Sequence, residues 1–400
     1  MATDSKALLQ DISELIARPS VSSVSPDWDQ SNAPVIDYLA ERFSGRGFRV
    51  DVQDLATPGK SNLVATLGRG EGGLVLAGHT DTVPCDPKLW SSEPFAVHER
   101  DQKLYGLGTA DMKSFFALVL AATDGLRAQD LARPLVVVAT ADEESSMWGA
   151  RALAQAGRPL GRHAVIGEPT SLKPVRLHKG ILMERIRIEG RSGHSSNPAL
   201  GNSALEGMHA VISALLHWRE QLQGRRQDSA FDVPLTTLNL GRISGGDNPN
   251  RICGHCELDV DLRMLPGMHC APLREELRET VDAALQGRGL DSAFEVLFEG
   301  VDPMTTPAAA PIVTAAESLT GAPAGAVAYG TEAPYLAQLG MDVVILGPGS
   351  IDQAHQPDQF LTQANIEPVE ELLRSLSGRF CSPATCAPAT RYLSRPTPPA

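Results

Sequence analysis

The chain has 400 residues, a formal net charge of −13 and a hydrophobic fraction of 42%. This length favours two domains, or one domain that carries a large insertion. The acidic balance disfavours a nucleic acid partner, and no run approaches the ~18 apolar residues of a membrane-spanning helix. Because no secretory signal is recognisable at the N-terminus, we expect a cytoplasmic protein that does not bind membranes.

The first part of the chain predicts alternating helices and strands. Apolar spacing predicts helices over residues 5–18, ended by Pro19, and over residues 33–47. Residues 113–126 predict an amphipathic helix, and residues 149–156 predict another. Apolar runs that stop at glycine or polar residues predict buried strands of a parallel sheet, namely Leu74–Gly78, Leu135–Ala139 and Ala164–Gly167. This alternation is typical of an α/β domain.

Near Lys179 the pattern changes to that of an inserted antiparallel unit. A half-exposed strand over residues 181–188 comes first, and a strand over residues 294–298 comes last. A helix, two strands and a second helix lie between them, at residues 204–222, 235–243, 257–263 and 273–285. This β-α-β-β-α-β order predicts a ferredoxin-like sheet with two helices on one face. The other face, or an edge of the sheet, stays available to a partner.

After this unit the α/β pattern resumes. Residues 312–319 predict a helix, residues 343–346 a strand, and the last helix starts at Pro368. The C-terminal end is rich in proline without periodicity, which predicts a disordered tail. We therefore expect a catalytic domain in two parts, residues 1–178 and 299–380. The inserted domain would span residues 179–298, and the tail residues 381–400.

Short clusters of acidic and imidazole side chains lie where predicted strands end and in the α/β segment that follows the inserted unit. Their members are His79, Asp81, Asp111, Glu143, Glu144, Glu168 and His355. Each residue alone would suit a helix cap or a solvated loop. Together, two histidines with several carboxylates suit a zinc-type ion, and the surplus of ligands indicates two metals and a general base. Because the clusters flank the inserted unit, both flanks must contribute to one site.

A CxxC pair offers an alternative metal or redox site. Cys253 and Cys256 enclose His255, but no second cysteine pair stands at the spacing of a structural zinc site. Residues 251–263 also alternate like a strand. The simpler interpretation is two reduced cysteines on a β-strand.

Five motifs occur together: Gly78–Pro84, Gly106–Lys113, Asp142–Glu144, Gly167–Thr170 and Ala354–Asp358. As a set they resemble the M20 metallopeptidase family, and the resemblance extends over about residues 5–380. It implies a zinc-peptidase-like catalytic domain with a ferredoxin-like lid domain through which two subunits form a homodimer. It also implies two divalent ions per subunit, zinc with cobalt able to substitute.

Carried over motif by motif, the resemblance assigns the metal ligands. Asp111 would bridge the two ions. His79 and Glu168 would complete one metal site, and Glu144 and His355 would complete the other. The substrate implied by the family is a small acyl-amino acid.

Three residues receive catalytic roles from the resemblance. Glu143 would be the general base, although spacing alone cannot choose between it and Glu144. Asp81 would orient the imidazole of His79. His194, which by its Gly/Ser surroundings alone would simply be exposed, would reach the partner's site and stabilise the oxyanion.

Four residues are expected to bind the substrate. Asn250 and Arg263 resemble groups that hold the acyl-amino acid, and arginine suits an α-carboxylate. The segment containing Gly330 and Glu332 resembles that of family members that deacetylate N2-acetyl-L-ornithine, although their segment often begins with cysteine instead of glycine. A carboxylate at Glu332 would favour a cationic side chain.

The implied reaction is metal-dependent hydrolysis of N2-acetyl-L-ornithine to L-ornithine and acetate in arginine biosynthesis. Related amidohydrolases are alternatives: a succinyl-diaminopimelate desuccinylase, an acetylcitrulline deacetylase or a broad aminoacylase. A non-catalytic binding protein on the same scaffold is a further alternative, but the complete ligand set together with Glu143 argues against it.

Overall fold

The computed structural model describes residues 5–383, in which helices and strands alternate along most of the chain. Its helices are α1 (Ser5–Ile16), α2 (Ala33–Ser44), α3 (Ser114–Ala122), α4 (Trp148–Ala156), α5 (Ala204–Arg225), α6 (Cys270–Leu285), α7 (Pro311–Thr320), α8 (Ala333–Gln338) and α9 (Ile366–Cys381). Its strands are β1 (Arg49–Asp54), β2 (Ser61–Leu67), β3 (Leu74–His79), β4 (His98–Arg100), β5 (Lys103–Tyr105), β6 (Leu135–Thr140), β7 (His163–Ile166), β8 (Val175–His178), β9 (Gly180–Glu189), β10 (Thr237–Gly245), β11 (His255–Met264), β12 (Asp291–Val301), β13 (Met304–Thr305), β14 (Gly325–Val327), β15 (Asp342–Ile345) and β16 (Phe360–Thr362).

The larger sheet has nine strands in the order β1-β2-β6-β3-β7-β15-β8-β13, with β14 beside β8. Its centre is parallel, because β3 pairs in parallel with β6 and β7, and β7 with β15. Every residue of β3 and β6 is buried, as a strand covered on both faces requires. The sheet as a whole is mixed, since the β1–β2 hairpin joins β6 antiparallel.

The helix predicted over residues 113–126 is not amphipathic. It spans Ser114–Ala122 as α3, and all nine of its residues are buried. Its sequence carries phenylalanine, leucine, valine or alanine on every side after the first serine. A helix that is apolar all round is buried all round, and α3 packs against α1 and α9.

The smaller sheet confirms the predicted ferredoxin-like order. Its strands lie in the order β10-β11-β9-β12, and all neighbours are antiparallel. α5 and α6 cover one face and share a hydrophobic core with the strands. The fold class is therefore an α/β unit with an inserted α+β unit. The exact domain bounds stay a prediction.

A third, three-stranded sheet joins the returning segment to the loop that carries Asp111. β16 pairs with β5, so that Phe360 lies opposite Tyr105. The side-chain oxygen Oε1 of Gln359 accepts the backbone N–H of Gly108 at 2.6 Å. This sheet places His355 beside Asp111, although the whole smaller sheet lies between them in the chain.

Two further findings concern whole-chain expectations. Among the described residues, no helix is long and apolar enough to cross a membrane. Most of the predicted disordered tail, residues 384–400, lies outside the described residues, and Cys381 is the buried last residue of α9.

Candidate metal centre

Three neighbouring strands bring candidate ligands to one edge of the larger sheet. His79 is the last residue of β3, Glu143 and Glu144 follow β6, and Glu168 follows β7. Because β3 lies between β6 and β7, the imidazole of His79 lies at the middle of this edge. The carboxyl ends of parallel strands are where open α/β sheets bind ligands.

The carboxylate of Asp111 faces both predicted histidine ligands. Its Oδ1 lies 3.2 Å from Nε2 of His79, and its Oδ2 lies 3.8 Å from Nε2 of His355. Glu168 Oε1 is 3.8 Å from Nε2 of His79, and Glu144 Oε2 is 3.0 Å from Nε2 of His355. The five predicted ligands therefore lie together, with the carboxylate of Asp111 between the two histidines.

The donor atoms are close enough to one another to hold metal ions. Those of His79, Glu143 and Glu168 all lie within 4.8 Å of one another, and so do those of His79, Asp111 and Glu144. The set comprises an imidazole and four carboxylates, whose negative charge two divalent cations would balance. Nitrogen and carboxylate oxygen donors suit zinc-type ions, so the donor set fits the metals that the sequence predicts.

The carboxyl groups of the centre lie in a strongly unfavourable environment for negative charge. Burial, and then the charge of Glu168, raises the pKa of Glu143 well above its ordinary value. Burial followed by the charge of Asp111 raises the pKa of Glu144 and of Glu168. Buried like charges without a counter-charge have this effect, and bound cations would reverse it.

The two histidines experience the same excess of negative charge. Burial lowers the pKa of His79, but the carboxylates of Asp111 and Asp81 outweigh burial and raise it overall. The hydrogen bond with Glu144 raises the pKa of His355. The centre as a whole therefore attracts positive charge, whether protons or metal ions.

Asp81 lies next to Nδ1 of His79, where the sequence predicts a residue that orients this imidazole. Nδ1 of His79 is 3.0 Å from the backbone oxygen of Asp81 and 3.7 Å from its carboxylate oxygen Oδ1. The carbonyl therefore accepts the Nδ1–H bond and directs Nε2 towards the other ligands. The Asp81 carboxylate accepts the backbone N–H of Glu144 at 3.0 Å, so it holds the neighbouring ligand loop.

His355 adopts a backbone conformation that is unusual for a residue other than glycine. Its φ is +60°, in the left-handed region, which costs about 1 kcal/mol or more. Gln359, four residues on, fixes this segment by accepting N–H groups of Gly108 and Ala110 at 2.6 and 3.3 Å. Such strained positions cluster at functional sites, where surrounding contacts hold them.

His194, Asn250 and Arg263 lie on the smaller-sheet unit. The carbonyl of Asn250 accepts the backbone N–H of Ser195 at 3.0 Å, which brings Asn250 close to His194. Nε of Arg263 donates to Asp261 at 2.9 Å. Among the described residues, no hydrogen bond or ion pair joins His194, Asn250 or Arg263 to the metal candidates of the same chain.

Glu332 is packed inside the protein, and Gly330 is partly buried. Glu332 is 1% exposed, and one of its carboxyl oxygens lies 2.6 Å from the hydroxyl of Thr140. Burial raises the pKa of Glu332 to about 7. A Cβ at Gly330 would come within 2.8 Å of the side chain of Ile181. The charge of Glu332 is one of those that raise the pKa of Glu168, so its carboxyl group lies near the candidate ligands. Contacts of Gly330 and Glu332 with a substrate stay a prediction.

The two cysteines of the CxxC pair are free, as the sequence predicts, but only Cys256 lies on the predicted strand. Cys256 is buried on β11, while Cys253 precedes the strand and donates its S–H to the carbonyl of His255. Neither cysteine belongs to a group of potential metal ligands among residues 5–383.

Sequence interpretation missed a buried lysine next to the centre. Lys60 is 2% exposed, and its Nζ lies 2.7 Å from Asp29 and 2.5 Å from Asp142. In the sequence it stands between Gly59 and Ser61, where it is indistinguishable from an exposed turn lysine. Only its position directly before an apolar run gives a weak signal.

Comparisons with known proteins agree with this geometry. Residues 75–378 match the model of the peptidase family M20/M25/M40. The acetylornithine deacetylase of Pasteurella multocida (strain Pm70) is 46% identical over 377 residues, which cover 94% of this chain and 98% of that protein.

Solved structures share the fold. A metallo-carboxypeptidase of the M20 family from Sulfolobus solfataricus superposes with a TM-score of 0.73 at 18% identity, over 92% of this chain and 99% of that one. A dinuclear metal binding peptidase of the M20 family from Bacillus subtilis gives a TM-score of 0.65 at 14% identity, over 93% and 97%.

Proposed function

The chain belongs to the M20/M25/M40 peptidase family, and we propose that it hydrolyses N2-acetyl-L-ornithine to L-ornithine and acetate. The observation that carries this proposal is 46% identity to an acetylornithine deacetylase over nearly the whole of both proteins. The cluster of His79 with four carboxylates supports the hydrolytic chemistry. We place the reaction in arginine biosynthesis in the cytoplasm.

Two divalent ions, zinc with cobalt able to substitute, are part of the proposal. His79 and Glu168 would hold one ion, Glu144 and His355 the other, and Asp111 would contact both. The carboxylate of Asp111 lies between the imidazoles of His79 and His355, which supports this assignment of ligands to two ions. When bound, such ions lower the pKa of a water and polarise the acyl oxygen of an amide.

Glu143 is the residue we propose as general base. Its carboxylate lies within 4.8 Å of donor atoms of His79 and Glu168, next to the proposed ligands, and it is 9% exposed. In that position it takes a proton from the attacking water and passes it to the nitrogen of the leaving ornithine. An amide nitrogen is a poor leaving group until it is protonated, so this second transfer completes the cleavage.

The smaller-sheet unit supplies the remaining proposed groups. Arg263 would hold the α-carboxylate through the guanidinium edge that Asp261 does not use, with Asn250 beside the acyl-amino acid. His194 would stabilise the oxyanion in the site of a second subunit. Its lack of a contact with its own metal candidates supports a role in trans. The edge strand β10 exposes Ile243, which supports a homodimer formed through this unit.

A substrate panel tests the proposed function. Protein stripped with a chelator and reloaded with Zn²⁺ or Co²⁺ is assayed with N2-acetyl-L-ornithine, acetylcitrulline, acetylmethionine and succinyl-diaminopimelate. We expect the highest kcat/KM with N2-acetyl-L-ornithine and little activity in the stripped protein. A preference for succinyl-diaminopimelate or acetylcitrulline would show that the proposed substrate is wrong. Similar rates with all acyl-amino acids would indicate a broad aminoacylase.

A further inference from the structure

A buried ammonium group connects three segments beside the metal centre. Lys60 lies directly before β2, and its Nζ contacts one carboxylate oxygen each of Asp29 and Asp142. Lysine is almost never fully buried unless it is paired. Among the residues that the structure describes, Lys60 has no ion pair with any proposed metal ligand. Its ion pairs join the segments of Asp29 and Asp142, which lie next to the ligands.

Asp142 stands directly before Glu143 and Glu144 in the loop that follows β6. Its φ is +57°, in the left-handed region, and its carbonyl accepts the N–H groups of Ser146 and Met147 at 3.0 and 2.6 Å. The oxygen of Asp142 that binds Lys60 also accepts the hydroxyl of Ser22 at 2.9 Å. The side chain of Asp142 thus ties this turn to Lys60 and Ser22.

The same end of β2 holds this loop at two further points. Oδ1 of Asn62 accepts the N–H of Ala141 at 3.1 Å, and its Nδ2 donates to the carbonyl of Gly149 at 2.8 Å. A Cβ at Gly149 would come within 2.5 Å of Asn62, which shows how closely the segments approach. Lys60 and Asn62 therefore hold the loop before and after its two glutamates.

A buried ion pair is weak evidence for stability, because desolvation of the two charges offsets most of their attraction. It does impose a defined geometry, since each partner must keep its position or leave an uncompensated charge. Asp142 stands in a strained conformation one residue before Glu143, where a geometric constraint acts on the reacting groups most directly.

We propose that Lys60 is a positioning residue of the reaction: its ammonium group fixes Asp142 and thereby sets the backbone from which Glu143 and Glu144 project. The proposal rests on the proposed function for its catalytic consequence. Loss of the ammonium group moves the base and one ligand relative to the other ligands. Metal affinity and kcat then fall together, while KM changes little, because the groups proposed to hold the substrate lie on the smaller-sheet unit.

The test uses four variants, because the simplest of them leaves a buried charge. Lys60→Met keeps the apolar stem but leaves Asp142 partly uncompensated, which destabilises the fold. Lys60→Met combined with Asp142→Asn removes the two buried charges and retains a hydrogen-bonding side chain at 142, and Asp29, which loses its partner, is partly exposed to water. Lys60→Arg is the conservative variant, and Lys88→Met, at an exposed lysine, is the matched control.

Zn²⁺ affinity is measured by competition with a chromophoric chelator, and kcat and KM with N2-acetyl-L-ornithine. For the double variant we expect about 10–100-fold weaker binding of at least one ion and a comparable loss of kcat, with KM within about threefold of wild type. Lys60→Arg should recover part of both losses, and Lys88→Met should match wild type. A folded double variant with wild-type metal affinity and kcat would overturn the proposal, as would a change in thermal stability alone.

The metal measurement separates this proposal from the proposed function. If wild-type protein binds Zn²⁺ tightly but does not cleave N2-acetyl-L-ornithine, the proposed substrate is wrong. A loss of Zn²⁺ affinity in the double variant would then still support the positioning role, whereas unchanged affinity would overturn it.

Discussion

Oδ2 of Asp111 lies 3.8 Å from Nε2 of His355, although the two residues belong to opposite flanks of the inserted unit. The other oxygen of Asp111 lies 3.2 Å from Nε2 of His79. A single carboxylate that faces two imidazoles in this manner is suited to join two metal positions. The β5–β16 pairing holds the two flanks together at this point.

Glu143→Gln should separate catalysis from metal binding. The amide keeps the size of the side chain but cannot accept the water proton. We expect unchanged metal content and a decrease of kcat on the order of 10²–10⁴, the usual contribution of a general base. Elemental analysis and steady-state kinetics measure the two effects. A variant that keeps nearly normal kcat would place the base elsewhere.

Arg263→Ala should weaken the binding of substrates that carry a free α-carboxylate. Loss of a charge-assisted hydrogen-bonded pair costs about 1.5–3 kcal/mol, which is roughly 10–150-fold in kcat/KM. The matched control is Arg242→Ala, because Arg242 lies on the same sheet and pairs with Glu257 and Asp259. If wild-type protein cleaves the methyl ester of acetylornithine as fast as the free acid, Arg263 does not bind a carboxylate.

His194→Ala and Glu143→Gln should complement each other in mixed dimers. Each variant alone should be nearly inactive, since loss of one oxyanion donor costs roughly 10²–10³ in kcat. A mixed dimer has one site with an intact Glu143 and the partner subunit's intact His194. Random exchange makes about half of the dimers mixed, so about a quarter of wild-type activity should return. Confirmed exchange without recovered activity would exclude action in trans.

His178 should make the folded protein sensitive to mild acid. It is fully buried, its Nδ1 lies 2.8 Å from the carbonyl of Lys179, and burial lowers its pKa to about 4. The unfolded imidazole binds a proton below about pH 6.5, but the folded one does so only near pH 4. The stability contribution is therefore present above pH 6.5 and is lost as the pH falls towards 4, by about 1.4 kcal/mol per unit.

Urea unfolding of metal-free protein between pH 7.5 and 5 measures this effect. His178→Asn retains a donor for the carbonyl of Lys179 but has no group that titrates in this range. We expect the free energy of unfolding to fall more steeply with decreasing pH in wild type than in the variant. Parallel curves would show that His178 is accessible to protons in the folded state.

The apolar runs of the sequence predicted which candidate ligands lie at the ends of strands. His79 and Glu168 follow runs of apolar residues, and such runs identify buried strands without knowledge of their neighbours. The order of elements in the inserted unit likewise predicted its ferredoxin-like sheet, because alternation and helical spacing are properties of single segments.

The contacts that surround the metal centre depend on the order of strands in the sheet, which sequence patterns do not predict. Lys60 reaches Asp142 only because β2 lies beside β6, with Leu63 opposite Ala139. The β1–β2 hairpin was not predicted, so neither was this neighbour. The Nδ1 contact of His79 with the carbonyl of Asp81, instead of its carboxylate, depends on the turn after β3 and has no signature in residue type.

The number of metal ions bound by wild type and by Asp111→Ala tests the central claim most directly. Both proteins are stripped, reloaded with Zn²⁺ and dialysed, and then metal per chain and acetate release from N2-acetyl-L-ornithine are measured on the same samples. We predict about two ions per chain and full activity for wild type, and loss of both ions and of activity for Asp111→Ala. Active wild-type protein without bound metal would contradict the account, as would an Asp111→Ala variant that retains two ions.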